Sequence, residues 1–135
     1  MLRCKSIRKP ENPLFHSRCF GYNGSMEGGA DLAKERIGFM GGSFNPIHYR
    51  HLTIAACALT EAKLNRVIFL PTGNPPHKHE ELADAEHRFE MTRLATLRDP
   101  AFSTSRVEID REGVIYTADT LQILRHTMPD ADFFY

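Results

Sequence analysis

Two histidines, His48 and His51, come shortly after the run Gly-Gly-Ser-Phe at residues 41–44. A spacing of three residues places both imidazoles on one face of an opening helical turn. Glycines let backbone N–H groups approach an anion closely, and the positive end of a helix dipole adds to the attraction. The pattern therefore predicts a phosphate-binding site at which two imidazoles donate hydrogen bonds to phosphate oxygens.

Two other interpretations of these histidines stay open. The pair could be a solvated feature of a helix start, or it could form a zinc site together with His77 and His79. A structural zinc site needs four ligands in tetrahedral geometry, and nothing in the spacing of these residues specifies that arrangement. We therefore predict no metal bound by the protein's own side chains.

The elements that must position the histidines alternate between strands and helices. Predicted strands cover residues 37–40, 67–70, 102–109 and 132–135. Predicted helices begin near His48, include Phe89, Leu94 and Leu97, and cover 117–126 with Thr117 as the N-cap. Such alternation predicts an α/β fold: a Rossmann-like, open and mostly parallel sheet with right-handed crossovers and helices on both faces.

Three loops should meet at one edge of this sheet. A glycine turn at Gly41, the loop from Pro71 to Lys78 and the loop at 113–117 each follow or lie beyond a strand end. Open parallel sheets bind ligands beyond the carboxyl ends of their strands. The sequence thus predicts that the motifs converge on one site.

Four segments resemble signatures of one enzyme group, in that group's order: Ile37–Leu52, Leu70–Lys78, His87–Met91 and Glu108–Leu121. The first resembles the His-x-Gly-His motif of the nucleotidyltransferase superfamily, and together they look most like nicotinate-nucleotide adenylyltransferase. The resemblance implies transfer of the adenylyl group of ATP, accompanied by Mg²⁺, to nicotinate mononucleotide. The products would be nicotinate adenine dinucleotide and pyrophosphate, in NAD biosynthesis.

The resemblance also implies roles for individual residues. His48 and His51 would contact the ATP phosphates and stabilise the transition state. The remaining nucleotide-site and substrate-site residues would be Gly41, Gly42, Ser43 and Phe44 for ATP, and His77, Lys78, Tyr116 and Thr117 for the pyridine nucleotide. Three charged residues, Arg88, Glu90 and Arg111, are expected to be solvated or ion-paired.

The sequence departs from the family pattern at two positions and at its end. Arg50 takes the place of the motif glycine, and Ile115 takes the place of a serine before Tyr116. The family's later Gly-x-Asp and Ser-Thr-x-x-Arg segments do not follow Tyr135, so we expect a sheet without its C-terminal part and a chain that is poorly active alone. The alternatives are another adenylyl- or cytidylyltransferase of the superfamily and a nucleotide-binding fragment without catalysis.

Composition narrows the class of protein. A chain of 135 residues with 41% hydrophobic residues and a net charge of zero predicts one globular domain at 37–135, preceded by a flexible extension at 1–36. The balanced charge argues against nucleic-acid binding, and no apolar run is long enough to span a membrane. The cysteines, Cys4, Cys19 and Cys57, favour a cytoplasmic location. An uncovered edge strand leaves a homo-oligomer open as a further expectation.

Overall fold

The computed structural model describes residues 34–74 and 82–135. Four strands and three helices alternate along these described residues. The elements are β1 (Arg36–Gly42), α1 (Tyr49–Glu61), β2 (Arg66–Pro71), α2 (Ala85–Thr96), β3 (Phe102–Thr104), α3 (Thr117–Thr127) and β4 (Asp132–Phe134). The predicted extension at 1–36 falls almost wholly outside the described residues and stays a prediction.

All four strands pair in parallel, in the order β3-β2-β1-β4. The chain moves outward from β1 through β2 to β3, and then returns to the opposite side of β1 to form β4. This reversal puts a topological switch point between β1 and β4, which is where open α/β sheets bind their ligands.

The two faces of the sheet bury different side chains. Ile37 and Phe39 of β1 pack in a cluster with Leu124 of α3, whereas Val67 and Phe69 of β2 pack in a cluster with residues of α1. Side chains alternate between the faces of a strand, so each central strand supplies both clusters. The predicted Rossmann-like α/β fold, with helices on both faces of a parallel sheet, is confirmed.

The glycines before the histidines belong to a strand and do not form the predicted turn. Gly41 pairs with Leu70 and Gly42 with Pro71, so β1 runs to Gly42. Glycine is depleted in strands, which is why the sequence pattern predicts an earlier end. The ladder to β2 overrides that preference.

The third predicted strand is too long. β3 covers Phe102–Thr104, and the chain turns at 107–110 in place of continuing to residue 109. Arg106 holds this turn, since its guanidinium binds Asp110 at 2.9 Å and Glu86 of α2 at 3.0 Å. The turn carries Glu108 to the carboxyl edge of the sheet.

Helix α2 buries polar residues, whereas the sequence pattern predicts a buried face that includes Leu94 and Leu97. Leu94 is 55% exposed, whereas Arg88, Thr92 and Thr96 are at most 3% exposed. Their spacing of four residues places them on one face of the helix. The threonine hydroxyls are satisfied by the Arg88 carbonyl at 2.8 Å and the Arg93 carbonyl at 3.0 Å, so burying them leaves no orphaned polar group.

Candidate active site

The corner between β1 and α1 is a sharp, packed turn. Phe44 has a left-handed backbone with φ of 46°, which is uncommon for a residue other than glycine. Its side chain is 2% exposed and lies 5.8 Å from the Phe69 ring, measured between centroids. Burial of the aromatic ring offsets the backbone cost and fixes the direction in which α1 leaves the sheet.

The two histidines lie together at the start of α1, as predicted. His48 is the N-cap, and its ring stacks on that of His51 with centroids 3.9 Å apart. The His48 backbone N–H donates to Nδ1 of His51 at 3.3 Å. Because Nδ1 accepts this bond, the neutral imidazole carries its proton on Nε2. Nε2 is therefore the atom through which His51 can donate to a ligand.

The surroundings of His51 favour this neutral form. Burial lowers the pKa of His51, and the charge of a protonated His48 lowers it further. The His51 ring stands nearly perpendicular to the Phe44 ring, with centroids 5.1 Å apart. A depressed pKa keeps His51 a neutral hydrogen-bond donor at physiological pH.

A cleft of about 250 Å³ opens at the carboxyl edge of the sheet. Its lining comprises Gly41, Gly42, Thr72, Glu108, Ile115, Tyr116, Thr117 and Tyr135. Four of the predicted site residues, two glycines of β1 and two residues at the start of α3, therefore come together. The convergence that the strand order implies is present in the structure.

The N-cap of helix α3 lies one residue earlier than predicted. Tyr116 is the N-cap, with an extended backbone, and Thr117 is the first helical residue. The Tyr116 side chain makes no capping bond, and the Thr117 hydroxyl lies 3.4 Å from the Tyr135 hydroxyl. The first N–H groups of a helix have no intrahelical partner, so the start of α3 presents donors beside the cleft.

Glu108 is a lining residue that the sequence did not single out. It is 6% exposed, and its Oε1 accepts a hydrogen bond from the Thr120 hydroxyl at 3.0 Å. Burial raises the pKa of Glu108, while the Thr120 bond and the charge of Arg111 oppose that rise. Its apolar neighbours Val107 and Ile109 give the sequence the pattern of a strand. The segment is in fact a turn, which places the Glu108 side chain at the cleft.

Arg88 is buried and not solvated, and it forms no salt bridge within residues 34–74 and 82–135, contrary to expectation. The residue is 2% exposed, and its guanidinium donates to the carbonyls of Ala83, Ser43 and Gly73. Sequence reasoning assigns a helical arginine to the surface because arginine is rarely fully buried. Glu90 pairs with Arg93 at 2.8 Å as expected.

Several predicted residues lie apart from the cleft or outside the described chain. His48 lines a separate groove between α1 and α2. Ser43 contributes its carbonyl to Arg88, and the Phe44 side chain belongs to the core. His77, Lys78 and His79 lie outside the described residues.

The two departures from the motif occupy different environments. Arg50 is exposed at the second helical position of α1, between the two histidines. Ile115 is 5% exposed and lines the cleft. Arg50 can thus reach a ligand at the helix start, whereas Ile115 contributes an apolar wall.

The described residues form neither a metal-binding cluster nor a membrane-spanning helix. Within residues 34–74 and 82–135, no three His, Cys, Asp or Glu side chains are grouped as a metal ion would require. No helix in this same part of the chain combines the length and apolar character needed to cross a membrane.

The cytidylyltransferase-like family model matches residues 39–134, from β1 to β4. The chain belongs to the cytidylyltransferase-like family.

Curated relatives of this cytidylyltransferase-like chain include proteins named probable nicotinate-nucleotide adenylyltransferase. The Thermoanaerobacter sp. protein is 53% identical over 88 residues, which cover 64% of this chain and 42% of the relative. The Clavibacter michiganensis protein is 50% identical over 100 residues, covering 74% and 50%. The resemblance to nicotinate-nucleotide adenylyltransferases is confirmed, and the chain spans about half the length of these relatives.

Solved structures agree with the cytidylyltransferase-like fold. Plasmodium falciparum nicotinic acid mononucleotide adenylyltransferase, complexed with NaAD, superposes with a TM-score of 0.61 at 18% identity. The match covers 73% of this chain and 49% of the Plasmodium chain. At that identity the likeness concerns the fold.

Proposed function

We propose that this chain binds ATP and nicotinate mononucleotide at the switch point of its sheet and transfers the adenylyl group between them. The observation that carries the proposal is the stacked pair His48 and His51 at the start of α1, with the Nε2 proton of His51 available to a phosphate. The substrate assignment is supported by the names of relatives that are about 50% identical to this chain.

The proposed reaction is an in-line displacement at the α-phosphorus of ATP. A phosphate oxygen of nicotinate mononucleotide attacks, a new P–O–P linkage forms, and the bond to the β-phosphate breaks to release pyrophosphate. Negative charge builds on the phosphate oxygens during this step. Positioned imidazole donors stabilise that charge, and no side-chain nucleophile is needed.

ATP is the substrate as its Mg²⁺ complex. In this proposal phosphate oxygens and water hold the ion, which suits its preference for hard oxygen ligands. The chain's own contribution is to bind and orient: Gly41, Gly42, Ser43 and Phe44 form the nucleotide-side wall, largely through backbone groups. By resemblance, His77 and Lys78 add positive charge to the substrate side.

The start of α3 is proposed to select the acid form of the substrate. The Tyr116 and Thr117 segment presents backbone N–H groups and a hydroxyl to the cleft. A carboxylate gains charge-assisted hydrogen bonds there that a carboxamide cannot match. Nicotinate mononucleotide is therefore preferred over nicotinamide mononucleotide. We place this reaction in the cytoplasm, as the cysteine pattern predicts.

A second candidate is a nucleotide-binding chain with little catalysis. Arg50 favours it, because this exposed side chain replaces a glycine between the two histidines. An arginine in that place either blocks close approach of a nucleotide or binds its phosphate as a fixed cation.

One assay separates the two candidates. Pyrophosphate release by the purified chain is measured with MgATP and nicotinate mononucleotide, beside nicotinamide mononucleotide. Release that prefers the acid supports the adenylyltransferase. If the chain binds ATP without release and Arg50→Gly restores turnover, Arg50 is the cause of the block. A folded chain that neither binds ATP nor releases pyrophosphate overturns both candidates.

A further inference from the structure

The guanidinium of Arg88 joins three separate segments. Its Nη1 donates to the carbonyl of Ser43 at 2.7 Å, its Nη2 to that of Gly73 at 3.2 Å, and its Nε to that of Ala83 at 2.9 Å. Ser43 lies between β1 and α1, Gly73 follows β2, and Ala83 precedes α2. One side chain therefore spans the loops on two neighbouring strands.

In the described part of the chain, the Arg88 guanidinium donates its hydrogen bonds to carbonyl oxygens and forms no salt bridge with a carboxylate. Burial lowers the pKa of Arg88, and the negative charge of Asp84 opposes that shift. Burying a cation in this way is costly unless its donors are satisfied with good geometry. Arginine meets that requirement because its planar fork directs five N–H donors from three nitrogens. A lysine has all its donors on one atom and cannot reach three carbonyls in different directions.

The same two loops are joined by weaker contacts around Arg88. The Thr72 N–H donates to the Gly42 carbonyl at 3.0 Å, and the Ala83 N–H donates to the side-chain oxygen of Asn45 at 3.1 Å. These bonds cross between the histidine corner and the cleft. Hydrogen exchange at the Thr72 and Ala83 amides therefore shows whether the two loops keep their distance.

We propose that Arg88 is a positioning residue that fixes the phosphate-binding corner at Ser43 against the cleft loop at Gly73. The inference rests on the proposed function, because it assigns those two loops to the two substrates. Arg88 touches neither substrate; it sets the distance between them. Misplacing reacting groups by about 1 Å costs on the order of 100-fold in rate.

A positioning role and a merely structural role predict different kinetics. Partial unfolding lowers the number of active molecules, so it lowers the apparent kcat and leaves KM unchanged. A displaced corner weakens the ATP site in every folded molecule and raises KM for ATP. KM and amide exchange therefore distinguish the two roles.

The test compares Arg88→Lys with two controls on the same helix. Thr92→Val changes a residue that is 0% exposed and whose hydroxyl donates to the backbone carbonyl of Arg88, so it reports destabilisation of α2. Arg93→Lys changes an exposed arginine paired with Glu90. For each chain, KM for ATP, pyrophosphate release and exchange of the Thr72 and Ala83 amides are measured well below the melting temperature.

We expect Arg88→Lys to raise KM for ATP about tenfold and to lower kcat/KM about 100-fold. Exchange at Thr72 and Ala83 should rise about tenfold in Arg88→Lys and stay unchanged in both controls. Unchanged KM and unchanged exchange in Arg88→Lys would overturn the inference. If the unmodified chain neither binds ATP nor turns over, the proposed function fails, while the exchange comparison still decides whether Arg88 fixes the loops.

Discussion

The histidine corner and the neighbouring cleft are built in opposite ways. Residues 41–51 form the corner from a single stretch of chain, with His48 and His51 joined by stacking and by a bond of 3.3 Å. The cleft draws its lining from β1, the loop after β2, the turn at 107–110, the start of α3 and Tyr135 after β4. A site assembled within one segment leaves a pattern in the sequence, whereas a site assembled from five segments leaves fragments that only the fold connects.

The largest expected effect is a loss of adenylyl transfer when a histidine of the corner is replaced. His48→Ala should lower adenylyl transfer by about 100- to 1,000-fold, because it removes one donor to the charge that develops on phosphate. Pyrophosphate release is the measurement. His87→Ala, which alters an exposed histidine on α2, is the matched control and should retain full activity. Comparable losses in both variants would mean that the corner holds no special chemistry.

A second prediction tests how tightly the cleft loops pack. A Cβ at Gly73 would lie 2.0 Å from the Glu108 carbonyl oxygen, a backbone atom that cannot move alone. Gly73→Ala should therefore lower the free energy of unfolding by about 1–3 kcal/mol. The measurement is the midpoint of urea unfolding.

Gly41→Ala is the control for that prediction. A Cβ at Gly41 would lie 2.5 Å from the Tyr135 hydroxyl, the far end of a side chain that can turn away. Its cost should be less than about 1 kcal/mol. Equal losses at the two glycines would show that the loop at Gly73 is not packed against Glu108.

The smallest effect concerns the charge of the cleft. Because burial raises the pKa of Glu108 above that of the unfolded chain, the protonated carboxyl contributes stability that is lost as the pH rises through the folded pKa. Glu108→Gln removes this titration and keeps an acceptor for the Thr120 hydroxyl. We expect the variant to match the unmodified chain near pH 4 and to melt a few degrees higher at pH 7–8.

Thermal melts across that pH range check the prediction, with Glu90→Gln as the comparison at an exposed, arginine-paired carboxylate. Glu90→Gln should show no gain at neutral pH, because it removes a partner of Arg93. A melting temperature for Glu108→Gln that stays below that of the unmodified chain at pH 7–8 would contradict a buried, destabilised carboxylate.

The same contrast explains which structural features could be predicted. His48 and His51 were recognisable because helix spacing and a preceding glycine run are local signals. The alternation of elements gave the parallel sheet, since short apolar runs and helical periodicity also act over a few residues. Both are properties of a continuous stretch of sequence.

Other features depend on partners that are distant in sequence. Arg88 reaches Ser43, 45 residues away, and nothing near it in the sequence signals that contact. Glu108 sits among apolar neighbours that imitate a strand, and Arg106 ends that strand through Glu86, 20 residues away. Hydrophobic periodicity could not predict the buried, polar face of α2, because Arg88 is buried by long-range bonds to Ser43 and Gly73 and the threonines bond within the helix.

The two kinds of arginine in this fold should respond differently to ionic strength. Arg106 is partly exposed and holds the turn at 107–110 through carboxylates, so dissolved ions screen its contacts. Arg88 is shielded from solvent and binds carbonyl dipoles, which salt screens far less. Concentrated salt should therefore loosen the turn that carries Glu108 while the link between Ser43 and Gly73 persists. At high ionic strength, the part of the site assigned to ATP should therefore keep its structure better than the part assigned to the pyridine nucleotide.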